Sequence, residues 1–317
     1  MPLVEISDLS ITLATPRGKV HAVRSLDLEI QRGTIHGLIG ESGCGKTITG
    51  MALLGLLPQG FRLAAKSFRF DGLELRDLAA SFRGRRIAMI SQDPAAALNP
   101  VLSIGRQMDD VLRSHGGLPR QQRRAQALEL LAATGLPDPL RVTLSYPHQL
   151  SGGMQQRVVI AQALATGAEF LIADEPTTAL DVTVGAQVLA LLQRLVTERG
   201  LTVLMITHDM DVVASCCETA SVLYAGHTVE TGPVIDLLAR PHHPYTQALL
   251  AALPDAAPKG QRLTTIEGQI PPPLEEITGC AFAPRCPKAM TVCRTESPLH
   301  HTTSSRSWSC HLEQTNV

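Results

Sequence analysis

The residues with the clearest chemical purpose are Gly40, Glu41, Ser42, Gly43, Cys44, Gly45, Lys46 and Thr47, which match G-x-x-x-x-G-K-[ST]. Glycines let such a run fold into a concave nest whose N–H groups face phosphate oxygens. A helix opening at its end turns its positive terminus on the same anion. Lys46 is expected to bridge β- and γ-phosphates, and Thr47 to offer its hydroxyl to Mg²⁺. A second group lies in Phe170-Leu171-Ile172-Ala173-Asp174-Glu175, where four uncharged residues run into two carboxylates. That order places the acids at the tip of a buried strand, Asp174 to hold Mg²⁺ and Glu175 to orient and polarise an attacking water. A third is Leu150-Ser151-Gly152-Gly153-Met154-Gln155-Gln156-Arg157, a serine and two glycines opening a helix, hence a second anion-binding terminus. One chain has little use for two such termini on one γ-phosphate unless the second serves a neighbour.

The segments around these groups have the form needed to position them. Leu3–Ile6 and Ser25–Ile30 alternate apolar and polar residues as half-exposed antiparallel strands do. Ile35–Ile39 is a short buried strand running into the glycine loop, and Ile48–Leu57 is an apolar helix stopped by Pro58-Gln59-Gly60. Ile87–Ile90, Phe170–Ala173 and Leu201–Ile206 are strands. The stretch from about Pro94 to Ala165 is helical, and Val184–Arg199 has helix spacing at Val188, Leu191, Leu192 and Leu195. Apolar strands alternating with helices predict an α/β fold, a parallel sheet with helices on its faces.

Composition narrows the classes. The chain has 317 residues, 28 Lys and Arg against 29 Asp and Glu, and a formal net charge of −1, which counts against a nucleic-acid binder held by phosphate contacts. Hydrophobic residues at 44% suffice for a full core, and aromatics at 3% disfavour a stacking platform for single strands. No apolar run approaches the roughly 18 residues of a membrane span, and Met1-Pro2-Leu3-Val4-Glu5 does not open like a signal peptide. A cytosolic location is expected. There the seven cysteines do not read as a disulfide framework.

The ordered set resembles the ATPase subunits of ABC transporters over roughly residues 3 to 240. The resemblance implies a P-loop ATPase domain at 1–240, with an antiparallel β subdomain and a helical subdomain at about 94–165. It makes Gln92 the glutamine that touches Mg²⁺ and the attacking water, Asp181 part of the D-loop, and His208 the switch histidine on the γ-phosphate. It makes Leu150, Ser151, Gly152, Gly153 and Gln155 the signature that completes a partner subunit's ATP site. Two departures stand out: Met154 occupies a position often held by glutamine, and Leu13 or a neighbouring residue lies where an adenine-stacking aromatic is usual. The competing reading is a soluble ABC-type ATPase of DNA repair or translation. Those proteins usually insert a coiled coil or zinc module, or fuse two cores, and neither pattern occurs here. A small-molecule kinase would leave the signature unexplained.

After Arg240 the composition shifts to prolines, Pro241, Pro244, Pro254, Pro258 and Pro271 to Pro273, and then to cysteines. His242–Leu250 and Gly279–Pro287 are similar to the segment following the core in oligopeptide, dipeptide and nickel importers, as is Leu98-Asn99-Pro100. Residues 241–317 thus form an extension of that type, and the cysteine tail favours the first of the two ATPase chains such importers pair. The resemblance implies a second ATPase subunit, two membrane permease subunits, an extracytoplasmic solute-binding protein, no nucleic acid, and a peripheral place on the cytoplasmic face of the cell membrane. Peptide, nickel and metal-chelate cargo are not distinguished. Cys280, Cys286, Cys293 and Cys310 are separated by five, six and sixteen residues, unlike the paired C-x-x-C of zinc ribbons. Some members of the resembled group carry a [4Fe-4S] cluster in this tail, which is the leading expectation, with Zn²⁺ the alternative and His300, His301 and His311 as substitute ligands.

Overall fold

The computed structural model describes residues 2–75, 82–116, 118–253 and 265–312; Pro254 and Pro258 lie outside these. The chain forms two compact units, one of residues 1–31, 36–76 and 207–317, the other of 32–35 and 77–206.

The first unit begins with a long antiparallel hairpin, Pro2–Thr15 against Gly18–Gln31. Its alternation puts Val4, Ile6, Leu9 and Ile11 with Leu26, Leu28 and Ile30 into the core. Phe61–Ala64 and Ser67–Phe70 extend the outer edge of this hairpin, two strands too short and mixed in pattern to be read from sequence. His227–Pro233 pairs with Thr219–Tyr224, which runs parallel to Ile35–Ile39 with Thr219 opposite His36. Ile35–Ile39 is buried at all five positions, as a parallel strand covered on both faces must be. The expected apolar helix after the loop starts at Lys46 and ends at Leu53. Helices Met210–Cys216 and Val234–Ala239 pack Val213, Val234 and Leu237 against Ile39.

The C-terminal extension shares a core with this unit instead of forming one of its own. Tyr245, Ala281 and Phe282 pack with Val222, Tyr224 and Val229. The strand Ser307–Ser309 pairs with His300–Thr302 and with Glu230 and Thr231 of His227–Pro233. The proline-rich tail is therefore held by apolar contacts to the cassette, which its composition alone does not reveal.

In the second unit Ile87–Ile90, Phe170–Asp174 and Thr202–Thr207 form a parallel set in which Ile172 lies between Met89 and Leu204. Helices Ile104–Gly116, Arg120–Ala133, Pro139–Leu144 and Gly152–Ala165 occupy the expected helical region, and Val182–Arg199 follows the acidic strand. Gly200, in the left-handed region at φ 65°, closes the last of these. No helix among the described residues is long and apolar enough to cross a membrane.

Candidate functional site

In the first unit the Ile35–Ile39 strand feeds the glycine loop, and the backbone constraints are local. A Cβ on Gly40, at φ 159°, would lie 2.2 Å from the carbonyl oxygen of Leu223; one on Gly45, at φ 107°, would lie 2.6 Å from that of Ala22. Neither position tolerates a side chain. Cys44 is fully buried, and burial pushes its thiol up from the ordinary range, so it fills space beneath the loop. Ser42, Gly43 and Thr47 are exposed, on the surface a ligand would meet. Lys46 is buried, and its Nζ donates to the carbonyls of Gly40 at 2.7 Å and Glu41 at 3.1 Å, so the loop's own oxygens hold the ammonium in place. His208 follows the Thr202–Thr207 strand and is exposed; Asp209 beside it caps Met210–Cys216 through the N–H groups of Asp211 and Val212.

Two residues that sequence reasoning passed over also hold this loop. Tyr245 Oη accepts the Glu41 N–H at 3.1 Å, and Arg285 makes a paired contact to the Glu41 carboxylate at 2.7 and 3.1 Å. Both sit in segments whose family resemblance was visible, His-Pro-Tyr and Pro-Arg-Cys, but nothing in the linear sequence joins them to residue 41.

In the second unit Asp174 is buried at the end of its strand and Glu175 is half-buried. Glu175 adopts φ 47°, a left-handed conformation costly for a non-glycine residue, and its N–H donates to Ile206 at 2.8 Å. Gln92 Nε2 and Thr178 Oγ1 both donate to Glu175 Oε2, at 3.2 and 2.9 Å. The structure thus brings together Gln92 and Glu175, predicted far apart in sequence, and adds Thr178.

The serine-glycine pair opens the helix Gly152–Ala165, with Ser151 as its N-cap: the hydroxyl accepts the Met154 N–H at 3.4 Å. Gln155 turns back, donating from Nε2 to Pro147 and Leu150 carbonyls, which fixes the loop entering the helix. Asp181 caps Val182–Arg199 by accepting the Val184 N–H. A Cβ on Gly153 would meet Val184 Cγ1 at 2.3 Å, so the two helix starts can lie this close only with glycine there. Ser151 and Gly152 are exposed, leaving the terminus open to a ligand.

Cys280, Cys286, Cys293 and Cys310 line one small pocket with Phe282 and His243. Backbone N–H groups point at the sulfurs, Met290 to Cys293 and Leu312 to Cys310, each at 3.5 Å. Burial pushes the thiols of Cys280, Cys286 and Cys310 up, Cys280 to about 11, which favours their protonated form without a cation beside them. Among the described residues no three or more His, Cys, Asp or Glu side chains form a group that could hold a single metal ion. Of the expected substitute histidines, His311 lines this same pocket while its Nε2 meets the Glu296 carbonyl; His300 meets Ser309, and His301 the Cys310 carbonyl.

Comparison with known proteins identifies the family. Residues 23–178 match the ABC transporter family, and residues 229–293 match the C-terminal region of oligopeptide/dipeptide transporters. The chain is 41% identical to the dipeptide transport ATP-binding protein DppD of Haemophilus influenzae, over 98% of this chain and 96% of that one. It is 42% identical to the oligopeptide transport ATP-binding protein OppD of Salmonella typhimurium, over 97% and 93%. Among solved structures, a dimeric ATP-binding cassette in a post-hydrolysis state, bound to ADP and Pi, superposes with a TM-score of 0.63 at 28% identity, covering 73% of this chain and 98% of that one. The chain belongs to the ATP-binding subunits of the oligopeptide/dipeptide family of ABC importers, which hydrolyse ATP to drive transport.

Proposed function

We propose that two ATPase subunits of this kind pack head to tail, with each ATP between the glycine loop of one and Ser151, Gly152 and Gly153 of the other. The observation that carries this is the open, capped helix terminus at Ser151, a second anion site that the chain's own loop does not need. With nucleotide bound, Lys46 would turn from the loop carbonyls to the β- and γ-phosphates, and the resemblance makes Thr47, Asp174 and Gln92 the residues that would hold Mg²⁺. Glu175 positions the attacking water, His208 contacts the γ-phosphate, and Asp181 stands at the subunit junction. ATP closes the pair because both helix termini are needed to stabilise its charge, and hydrolysis weakens that contact. Closure is passed to two membrane permease subunits through the helical region at about 94–165. The subunit lies peripherally on the cytoplasmic face of the membrane, and an extracytoplasmic binding protein delivers cargo.

Peptide is the cargo these relatives' names favour over nickel or a metal chelate. The test is ATP hydrolysis by the complex reconstituted in liposomes with its permeases and binding protein. Stimulation by short peptides is expected; stimulation by nickel alone would reverse the assignment of cargo, and hydrolysis indifferent to both would remove the importer reading.

The four thiols of the extension fit a [4Fe-4S] cluster better than Zn²⁺. One tetrahedral ion draws its sulfurs close together, whereas a cubane spreads four cysteines around a body several ångströms wide. What supports the reading is that all four cysteines line one pocket, although among the described residues they are not gathered into a group that could hold a metal ion. Backbone N–H groups already directed at sulfur suit thiolate ligands. When bound, the cluster would stabilise the fold of the extension. Purified protein without absorbance near 400 nm, and without iron or sulfide, would remove this assignment.

A further inference from the structure

We infer that Arg285 of the C-terminal extension is a positioning residue for the nucleotide: it neutralises and fixes Glu41, the one acidic side chain of the glycine loop, so that the loop accepts a polyphosphate.

Glu41 is held at three points within the first unit. Its N–H goes to Tyr245 Oη at 3.1 Å, its carbonyl receives Lys46 Nζ at 3.1 Å, and both carboxylate oxygens receive the Arg285 fork. The Arg285 side chain is only 5% exposed. Its remaining donors are committed to fixed acceptors: Nε to the Glu267 carbonyl and a terminal nitrogen to that of Ile266, both at 3.0 Å. The guanidinium also lies 5.7 Å from the centre of the Tyr224 ring. Arg285 ends a short turn, Ala283–Arg285, that follows buried Phe282. Phe282 in turn meets the rings of Tyr224 and Tyr245 at 5.2 and 5.3 Å. The cation is thus rigidly mounted on the same aromatic group that receives the loop's N–H.

A carboxylate one residue into a phosphate cradle opposes the ligand's charge. A bidentate guanidinium cancels that opposition and holds the side chain down. Removing the arginine alone strands a partly buried negative charge beside the ligand, whereas removing both partners leaves no charge at either position. A tail that served only as packing would not show this dependence on residue 41.

The inference rests on the ATP-binding assignment and is tested on the full-length chain by titrating a fluorescent N-methylanthraniloyl-ATP with Mg²⁺. R285M is expected to raise the Kd about tenfold and E41Q by no more than about threefold, while E41Q/R285M returns to near the E41Q value. Thermal melting establishes that each variant is folded. R285M binding as tightly as the parent chain, or the double variant remaining as weak as R285M, overturns the inference. Should R285M not fold, R285K carries the test, because it keeps the charge and loses the fork: weakening of about threefold that vanishes in the E41Q background supports the role, and unchanged affinity overturns it. A parent chain that does not bind the analogue would instead overturn the ATP-binding assignment beneath it.

Discussion

Gln92 Nε2 donates to Glu175 Oε2 across 3.2 Å, and Thr178 Oγ1 reaches the same oxygen at 2.9 Å. Two donors on one carboxylate oxygen orient the group, while the left-handed backbone at Glu175 fixes where it starts. Glu175→Gln keeps nearly the same shape and removes the charge needed to polarise a water. Turnover is expected to fall by about 10²-fold or more with ATP affinity retained. Steady-state hydrolysis together with nucleotide titration checks both halves, and normal hydrolysis by the purified complex would refute the role. Gln92→Ala should reduce kcat by a smaller factor, since Thr178 still orients the carboxylate.

The tightest glycine of the second unit gives a different kind of prediction. In Gly153→Ala the new methyl falls 2.3 Å from Val184 Cγ1, and valine is stiff at χ1. Overpacking of this kind costs about 1–3 kcal/mol. We expect lower thermal stability for G153A and recovery of most of it in G153A/V184A. If hydrolysis stays depressed after stability has recovered, the helix terminus itself is what the added methyl obstructs.

The sequence made the site's chemistry legible and left its supports obscure. The strand Ile35–Ile39, the glycine loop, the acidic strand end and the capped helix at Ser151 are local patterns of period, punctuation and residue type, and each lies where those patterns place it. The short strands Phe61–Ala64 and Ser67–Phe70 carry too few residues for a period to show, and their pairing with the first hairpin is a tertiary choice. Helix 46–53 starts two residues before the apolar run, at Lys46, whose ammonium meets the loop's own carbonyls while its backbone is already helical. Arg285 and Glu41 are 244 positions apart, and no linear signal links a tail arginine to a loop carboxylate. The prolines of the extension carry no periodic packing signal, yet Tyr245 and Phe282, aromatic residues in a chain with few of them, bury it against Tyr224.

Docking of the tail depends on a buried ion pair. The Glu230 side chain is wholly buried and Arg306 is 10% exposed; their contact is 2.9 Å. Glu230 also accepts the N–H groups of His242 and His243, at 2.8 and 2.9 Å. Arg306→Met removes one partner and leaves a buried carboxylate, a loss of about 3–5 kcal/mol by analogy with other broken buried pairs. Glu230→Gln should cost a comparable amount, because the His242 and His243 N–H groups go to different carboxylate oxygens, so one of these donors would face the amide NH₂, and Arg306 loses its counter-charge. Chemical denaturation of both variants tests this, and equal stability of R306M and the parent chain would show the pair to be dispensable.

Acid should destabilise the first unit through His36. Its ring is buried, with Nδ1 2.8 Å from Thr219 Oγ1 and Nε2 3.0 Å from Ser221 Oγ, so one nitrogen donates and the other accepts, as a neutral imidazole requires. Burial pushes its pKa from 6.5 down to about 4. The unfolded chain therefore takes up a proton near pH 6.5 that the folded chain refuses until about pH 4. The contribution of His36 is fully present above pH 6.5, is lost progressively as the pH falls to about 4, and changes no further below that. The slope from this residue is at most about 1.4 kcal/mol per pH unit. His36→Gln, which keeps a donor and an acceptor but cannot protonate, should lower stability at pH 7.5 and flatten the profile between pH 6.5 and 4. Melting temperatures across that range decide the matter: parallel curves for the two proteins would mean that His36 does not set the acid limit.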